Sequence, residues 1–186
     1  MKTKNIVFSL ILILSLASCK NDEKQTNVIV KDENEIKETF EISFNIVIQK
    51  DDVFQLYYTQ DGSLNFGDEH SVKSVVKGNE SPQDLIFKLP VDVLPTYIRF
   101  DIGENPDQQD ITVNSMKFKY FDKSYNAVFG NGNETLNHFF YYKEGHVKYD
   151  ETTNKVILLK PENQPFDPYM TSNQLVMEEM EKLYKN

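Results

Sequence analysis

Few side chains in this 186-residue sequence combine reactivity with a spacing that chemistry can use. The strongest nucleophile is a thiol, and the chain has one, Cys19. Two aromatic clusters, Tyr57-Tyr58 and Phe139-Phe140-Tyr141-Tyr142, carry rings of the kind that stack on sugars. Neighbouring side chains on a strand face opposite ways, so one of each tyrosine pair is expected outside. That puts forward Tyr57, Tyr58, Tyr141 and Tyr142 as ligand contacts; the competing reading is aromatic filling of a core that has no Trp. Asp101, Glu104, Asp107 and Asp110 gather hard oxygen donors that suit Ca²⁺, but their spacing is not that of an EF-hand, and a solvated acidic loop is the better account in a protein of this charge. Arg99 is the only arginine and shares a strand face with Asp101, which points to a local ion pair or to a carboxylate bonding loop amides.

Other chemistry is not encoded in recognisable form. His70, His138 and His146 lack the spacing of a zinc site. No Gly-x-Ser-x-Gly elbow and no Gly-rich phosphate cradle occur. With 29 Asp and Glu residues, a glycosidase-like carboxylate pair cannot be singled out by sequence. No cofactor is expected, with Ca²⁺ the single weak candidate.

Cys19 sits at the end of a distinctive leader. Lys2 and Lys4 precede an apolar run from Ile6 to Ala17, broken only by Ser9 and Ser15. That is shorter than the roughly 20 residues of a spanning helix and fits a signal-peptide h-region. Leu16-Ala17-Ser18-Cys19 then resembles the lipobox of bacterial lipoproteins. The resemblance implies removal of residues 1–18, a diacylglyceryl thioether (with palmitate among its chains) on Cys19, and acylation of the new amino terminus. Each buried methylene contributes about 0.8 kcal/mol, so several chains anchor the protein essentially permanently. Lys20-Asn21-Asp22-Glu23-Lys24 is similar to an acidic export signal that carries some Gram-negative lipoproteins to the outer face of the outer membrane; a periplasm-facing lipoprotein is the alternative.

The full chain carries a net charge of -9, and loss of Lys2 and Lys4 leaves 18 basic against 29 acidic residues, or -11. Such a balance excludes nucleic acid as a partner and leaves membrane attachment to lipid, not to headgroup attraction. One Cys also excludes a disulfide framework. Apolar residues make up 39% of the chain, enough for a core in one domain.

Four segments are expected: a signal peptide over 1–18, a lipidated tether over 19–38, a β-sandwich over 39–165 and a C-terminal helical segment over 166–186. Phe40, Ile42, Phe44, Ile46 and Ile48 alternate with mostly polar residues, the rhythm of a strand buried on one face. Val28 to Val30 is an apolar island, long enough to add a strand at a sheet edge. Lys50-Asp51-Asp52 reads as a hairpin connection to a strand over Val53–Thr59. Short strands follow at Val72–Lys77, Leu85–Leu89 and Tyr97–Ile102. In Ile111 to Tyr120 the alternation changes phase, which predicts a β-bulge near Asn114-Ser115. His146–Asp150 and Lys155–Lys160 read as a hairpin. Pro161, Pro165 and Pro168 forbid regular structure across their positions. Ser172 is expected to cap a helix whose Val176, Met180, Leu183 and Tyr184 form an apolar stripe. The fold class is therefore all-β, an antiparallel sandwich of jelly-roll or immunoglobulin-like type with a short amphipathic C-terminal helix.

Phe54-Gln55-Leu56-Tyr57-Tyr58, Phe66, Glu69 and Ser71, Phe87-Lys88-Leu89-Pro90 and Ile98-Arg99-Phe100-Asp101-Ile102-Gly103 resemble a β-sandwich domain of some bacterial cell-surface polysaccharide and membrane glycosyltransferase proteins. The resemblance covers about residues 40 to 120, implies a sandwich fold and carries over no catalytic residue. The expected function is that of a lipid-anchored cell-envelope protein, a non-catalytic binding module for a glycan or a protein partner. The alternatives are an envelope enzyme acting on polysaccharide and a structural accessory subunit of an outer-membrane complex that docks through its C-terminal helix.

Overall fold

A computed structural model of the chain describes residues 38–185. The leader, Cys19, the tether up to residue 37 and the strand considered at Val28 to Val30 lie outside the described residues. The described part is an antiparallel β-sandwich closed by one short helix.

Strand β1 (Glu41–Ile48) obeys its sequence rhythm: Ile42, Phe44, Ile46 and Ile48 are buried, while the alternate residues lie on the other face. It pairs with β4 (Asn79–Lys88) and with the long β6 (Ile111–Tyr120). Beyond β6 the sheet continues to β10 (Lys155–Leu158) and β9 (Val147–Asp150), and β7 (Lys123–Val128) pairs with the second half of β6. The second sheet runs β3 (Ser71–Val76), β2 (Asp52–Tyr58), β5 (Ile98–Asp101), β11 (Tyr169–Ser172) and β8 (Phe140–Tyr142).

Two side-chain parities of β6 reach one core because Asn45 faces Ser115 while Ile46 faces Val113, leaving Asn114 as the extra residue of a bulge. Ile111, Val113, Met116 and Phe118 are consequently all buried. At the centre of the core Phe100 of β5 stacks on Phe44 at 4.5 Å and 10°, with Phe54 at 5.7 Å and Phe87 edge-on at 5.8 Å. Offset and edge-to-face rings of this kind contribute about 0.5–1.5 kcal/mol per pair beyond the area they bury.

Four local expectations change. Lys50-Asp51-Asp52 is no hairpin, since β1 and β2 belong to different sheets and the connection crosses between them. β4 begins at Asn79 and runs through Pro82; an edge position lets the missing N–H of Pro82 face outward. β7 was not foreseen, because Ala127 is its only buried residue and no large apolar alternation marks it. The sandwich also extends past residue 165: β11 lies between β5 and β8, with Met170 buried.

Helix α1 (Gln174–Tyr184) is capped by Asn173, whose side chain accepts from the Leu175 and Val176 amides. Ser172 is not free to cap, because its Oγ accepts from the Ile98 amide at 2.9 Å. The helix buries Val176, Met180 and Leu183, and Tyr184 donates to the Pro95 carbonyl at 3.0 Å.

Replacing Phe100 by Ala should lower unfolding free energy by about 3–5 kcal/mol, the usual cost of deleting a buried aromatic ring. Urea denaturation measures this; a loss below about 1 kcal/mol would mean that the four-ring stack is not the centre of the core.

Candidate functional site on the outer face of the five-stranded sheet

Strand pairing aligns residues from all five strands of the second sheet. Ser71, Tyr57, Arg99, Thr171 and Tyr141 form one rung across β3, β2, β5, β11 and β8. Lys73, Gln55, Asp101 and Tyr169 form the next. Period-two geometry turns these side chains away from the core that Phe100 and Met170 fill.

Arg99 organises this face. Its guanidinium carbon lies 4.2 Å from the Tyr57 ring centroid and 4.7 Å from that of Tyr169, so the cation is held between two rings. In the same plane its Nε and Nη2 donate to the two oxygens of Asp101 at 2.7 and 2.8 Å. Side-chain exposures of 24% and 19% make this a half-buried fork with a fixed geometry. Burial works against the charge on Arg99, but the bonds to Asp101 outweigh it and hold the guanidinium above its ordinary value. Burial likewise raises the Tyr57 phenol, and its hydroxyl donates to Asp68 at 3.2 Å. Lys143 lies over the Tyr169 ring at 4.9 Å and pairs with Asp167.

Beside the aromatic rungs lies a cavity of about 240 Å³, lined by Gln55, Asp101, Glu104, Phe166 and Asp167 among others. Each of its three carboxylates has a cation: Arg99 for Asp101, Lys73 for Glu104 at 2.6 Å and Lys143 for Asp167. The face therefore offers hydrogen-bond donors, acceptors and flat rings with its charges compensated. Such groups are able to hydrogen-bond and orient a polar ligand. They do not form a nucleophile with an adjacent base.

The four tyrosines put forward by sequence part company here. Tyr57 and Tyr58 are both buried, which corrects the expectation that one of them is outside. Tyr58 does point inward, but Tyr57 on the outer face is covered by the Arg99 guanidinium. Tyr141 is 68% exposed. Tyr142 turns inward, stacks on Tyr149 at 6.2 Å and has a buried hydroxyl with no partner among the described residues; burial pushes its phenol far up.

Asp101, Glu104, Asp107 and Asp110 are not brought together as a ligand set. Among the described residues no group of three or more His, Cys, Asp or Glu side chains could hold a metal ion. Asp101 and Glu104 are engaged by Arg99 and Lys73, and Asp107 and Asp110 are exposed. The histidines are likewise scattered: His70 packs against Tyr58, and buried His146 bonds Gln164 through Nε2 at 3.1 Å.

The carboxylate that orders this loop is one that sequence reasoning missed. Asp52, 5% exposed, accepts from the amides of Val53, Glu104 and Asn105 at 2.8–2.9 Å and from Gln108 Nε2 at 3.1 Å. Gly103 makes this approach possible: at a φ of +86° it carries no Cβ, and one placed there would lie 2.4 Å from Asp52 Oδ2. The Gly after the Arg-Phe-Asp-Ile strand end was the available signal. Tyr169, Lys143 and Asp167 were also missed, because the proline-flanked stretch that holds two of them gave no strand pattern.

Compared with family models, with curated proteins and with solved structures, the chain matches none.

Replacing Asp52 by Ala should cost about 1–3 kcal/mol, since it strips the acceptor from buried amides. Hydrogen exchange at the Glu104 and Asn105 amides should accelerate together with it. Unchanged protection at both would show that the loop is ordered by something other than Asp52.

Proposed function

We propose that this protein is a lipid-anchored, non-catalytic binding module of the cell envelope that holds a glycan on the outer face of its five-stranded sheet. The observation that carries this reading is one rung of that sheet, where exposed Tyr141 shares a face with Arg99 clamped between Tyr57 and Tyr169. A tyrosine ring gains most when a ligand covers its apolar face while its hydroxyl stays hydrogen-bonded. Sugars present such a ligand, with C–H faces for the rings and hydroxyls for carboxylates, amides and guanidinium.

The adjoining cavity of about 240 Å³ lies below the roughly 300–1,000 Å³ of drug-sized sites and has room for a single sugar ring at the end of a chain. Pairing fixes Arg99 and Asp101 before any ligand arrives, which lowers the entropy that binding must overcome. The lipobox at Leu16 to Cys19 supports the anchor, and the charged cluster behind it, similar to an acidic export signal, supports the outer face of the outer membrane over the periplasmic face. A protein partner on the same sheet face is the alternative occupant. Docking through helix α1 has less support, since Val176, Met180 and Leu183 are already buried against the sandwich.

Cys19→Ala should move the protein from the membrane to the soluble fraction. With the anchor intact, a glycan array should return hits that Tyr141→Ala and Tyr169→Ala each weaken at least tenfold, the first without change in thermal midpoint. Retention of the Cys19 variant on membranes speaks against lipidation. Hits indifferent to both tyrosines, or hydrolysis of a bound polysaccharide, would overturn the binding-face reading.

A further inference from the structure

The strand pattern fixes which end of the sandwich receives the chain from its amino terminus. Glu41, the first residue of β1, pairs with Lys88 near the end of β4 and with Lys119 near the end of β6. The described chain therefore enters at the end where β4 and β6 finish. Phe40 marks the point of entry, with its carbonyl accepting from the Leu89 amide at 2.9 Å and its ring against Tyr120 at 5.8 Å and Tyr184 at 6.3 Å.

Three exposed apolar side chains surround that point. Phe121, two residues beyond Lys119, is 49% exposed at the tip of the β6–β7 turn. Its φ of +53° is unusual for a bulky residue and costs free energy of order 1–3 kcal/mol. One side of the ring packs edge-on against Tyr120 at 4.6 Å, and the rest of it faces outward, in a turn that a polar residue or glycine would suit better. Val91, two residues beyond Leu89, is 39% exposed. Leu64, 55% exposed, lies in the loop after β2, which bonds to the same connection through the Leu94 amide on Gln60 and the Gly62 amide on Thr96.

We infer that this end of the sandwich rests on the bilayer that holds the Cys19 lipid, with Phe121, Leu64 and Val91 entering its interfacial region. The inference rests on the lipid-anchor reading. Eighteen residues (20–37) separate Cys19 from Glu38 in the sequence, and the described chain begins at the same end as the three apolar side chains. With a linker of that length, a shallow contact needs little affinity of its own, because attachment through the lipid makes it intramolecular. Phe and Leu on an interfacial surface are the side chains that enter the headgroup–acyl boundary. Asp61, Asp92 and Asp122 beside the three apolar residues are set against Lys88 and Lys119 at the same end, so no excess of positive charge favours an anionic surface and the one that fits is zwitterionic.

The chain has no Trp, so a single introduced Trp reports without background. Full-length lipidated protein carrying Phe121→Trp, or Leu64→Trp should the turn at 121 reject the larger ring, is reconstituted in phosphatidylcholine vesicles with and without brominated acyl chains. Val75→Trp serves as the control: Val75 is more exposed, at 76%, but it lies at the other end of the sandwich, where β3 meets the start of β2. The expected result is equal flotation of all variants, with quenching at 121 or 64 several-fold stronger than at 75. Flotation with no excess quenching at either position overturns this inference and leaves the anchor standing. Failure to float overturns the anchor and the inference with it.

Discussion

The four-residue strand β5 is the constraint on which the rest of this structure depends. Ile98 and Phe100 point into the sandwich and Arg99 and Asp101 point out of it, so one short segment serves the core and the candidate site together. Inside, Phe100 meets rings from β1, β2 and β4. Outside, Arg99 is fixed by rings from β2 and β11 and by the Asp101 fork. A slip of one residue in register would exchange the two sets, burying a guanidinium and exposing a phenylalanine. The core thus enforces the geometry of the outer face, and the outer clamp in turn opposes any slip.

Much of this was legible in the sequence wherever a local rhythm carries the information. β1 shows large apolar residues at every second position, and no other element explains that spacing. The bulge at Asn114 was legible because the apolar parity of β6 switches around it. The helix stripe of Val176, Met180 and Leu183 was readable for the same reason. Such features depend on neighbours within a few residues.

What was not legible depends on residues far apart in the chain. Asp52 looks like one more surface carboxylate beside Asp51, and its burial comes from amides 52 and 53 positions further on. Tyr57 was put forward as a ligand contact, yet its ring is covered by Arg99 on the neighbouring strand. β11 follows three prolines and is only four residues long, so nothing local announced that it completes the sheet. Ser172 has the right residue type for a helix cap, but the backbone of β5 claims its hydroxyl first. In each case a tertiary partner outweighed the local preference.

The polar side chains of the outer face are already satisfied by one another, which suits a preorganised recognition surface. Three carboxylates with three cations give it polarity without net charge, and the one widely exposed ring, Tyr141, stands at its edge strand. The carboxylates lining the cavity are each engaged by a cation.

Because Arg99 is the only arginine, its Nε–H gives one assignable signal in a nitrogen–proton correlation spectrum, and that signal tests the central claim most directly. A guanidinium held between Tyr57 and Tyr169 and bonded to Asp101 should show an Nε–H shifted by ring currents, protected from solvent exchange, and displaced when a bound glycan covers the face. A sharp signal at the shift of a free arginine, exchanging rapidly with water and indifferent to Tyr169→Ala, would contradict the account.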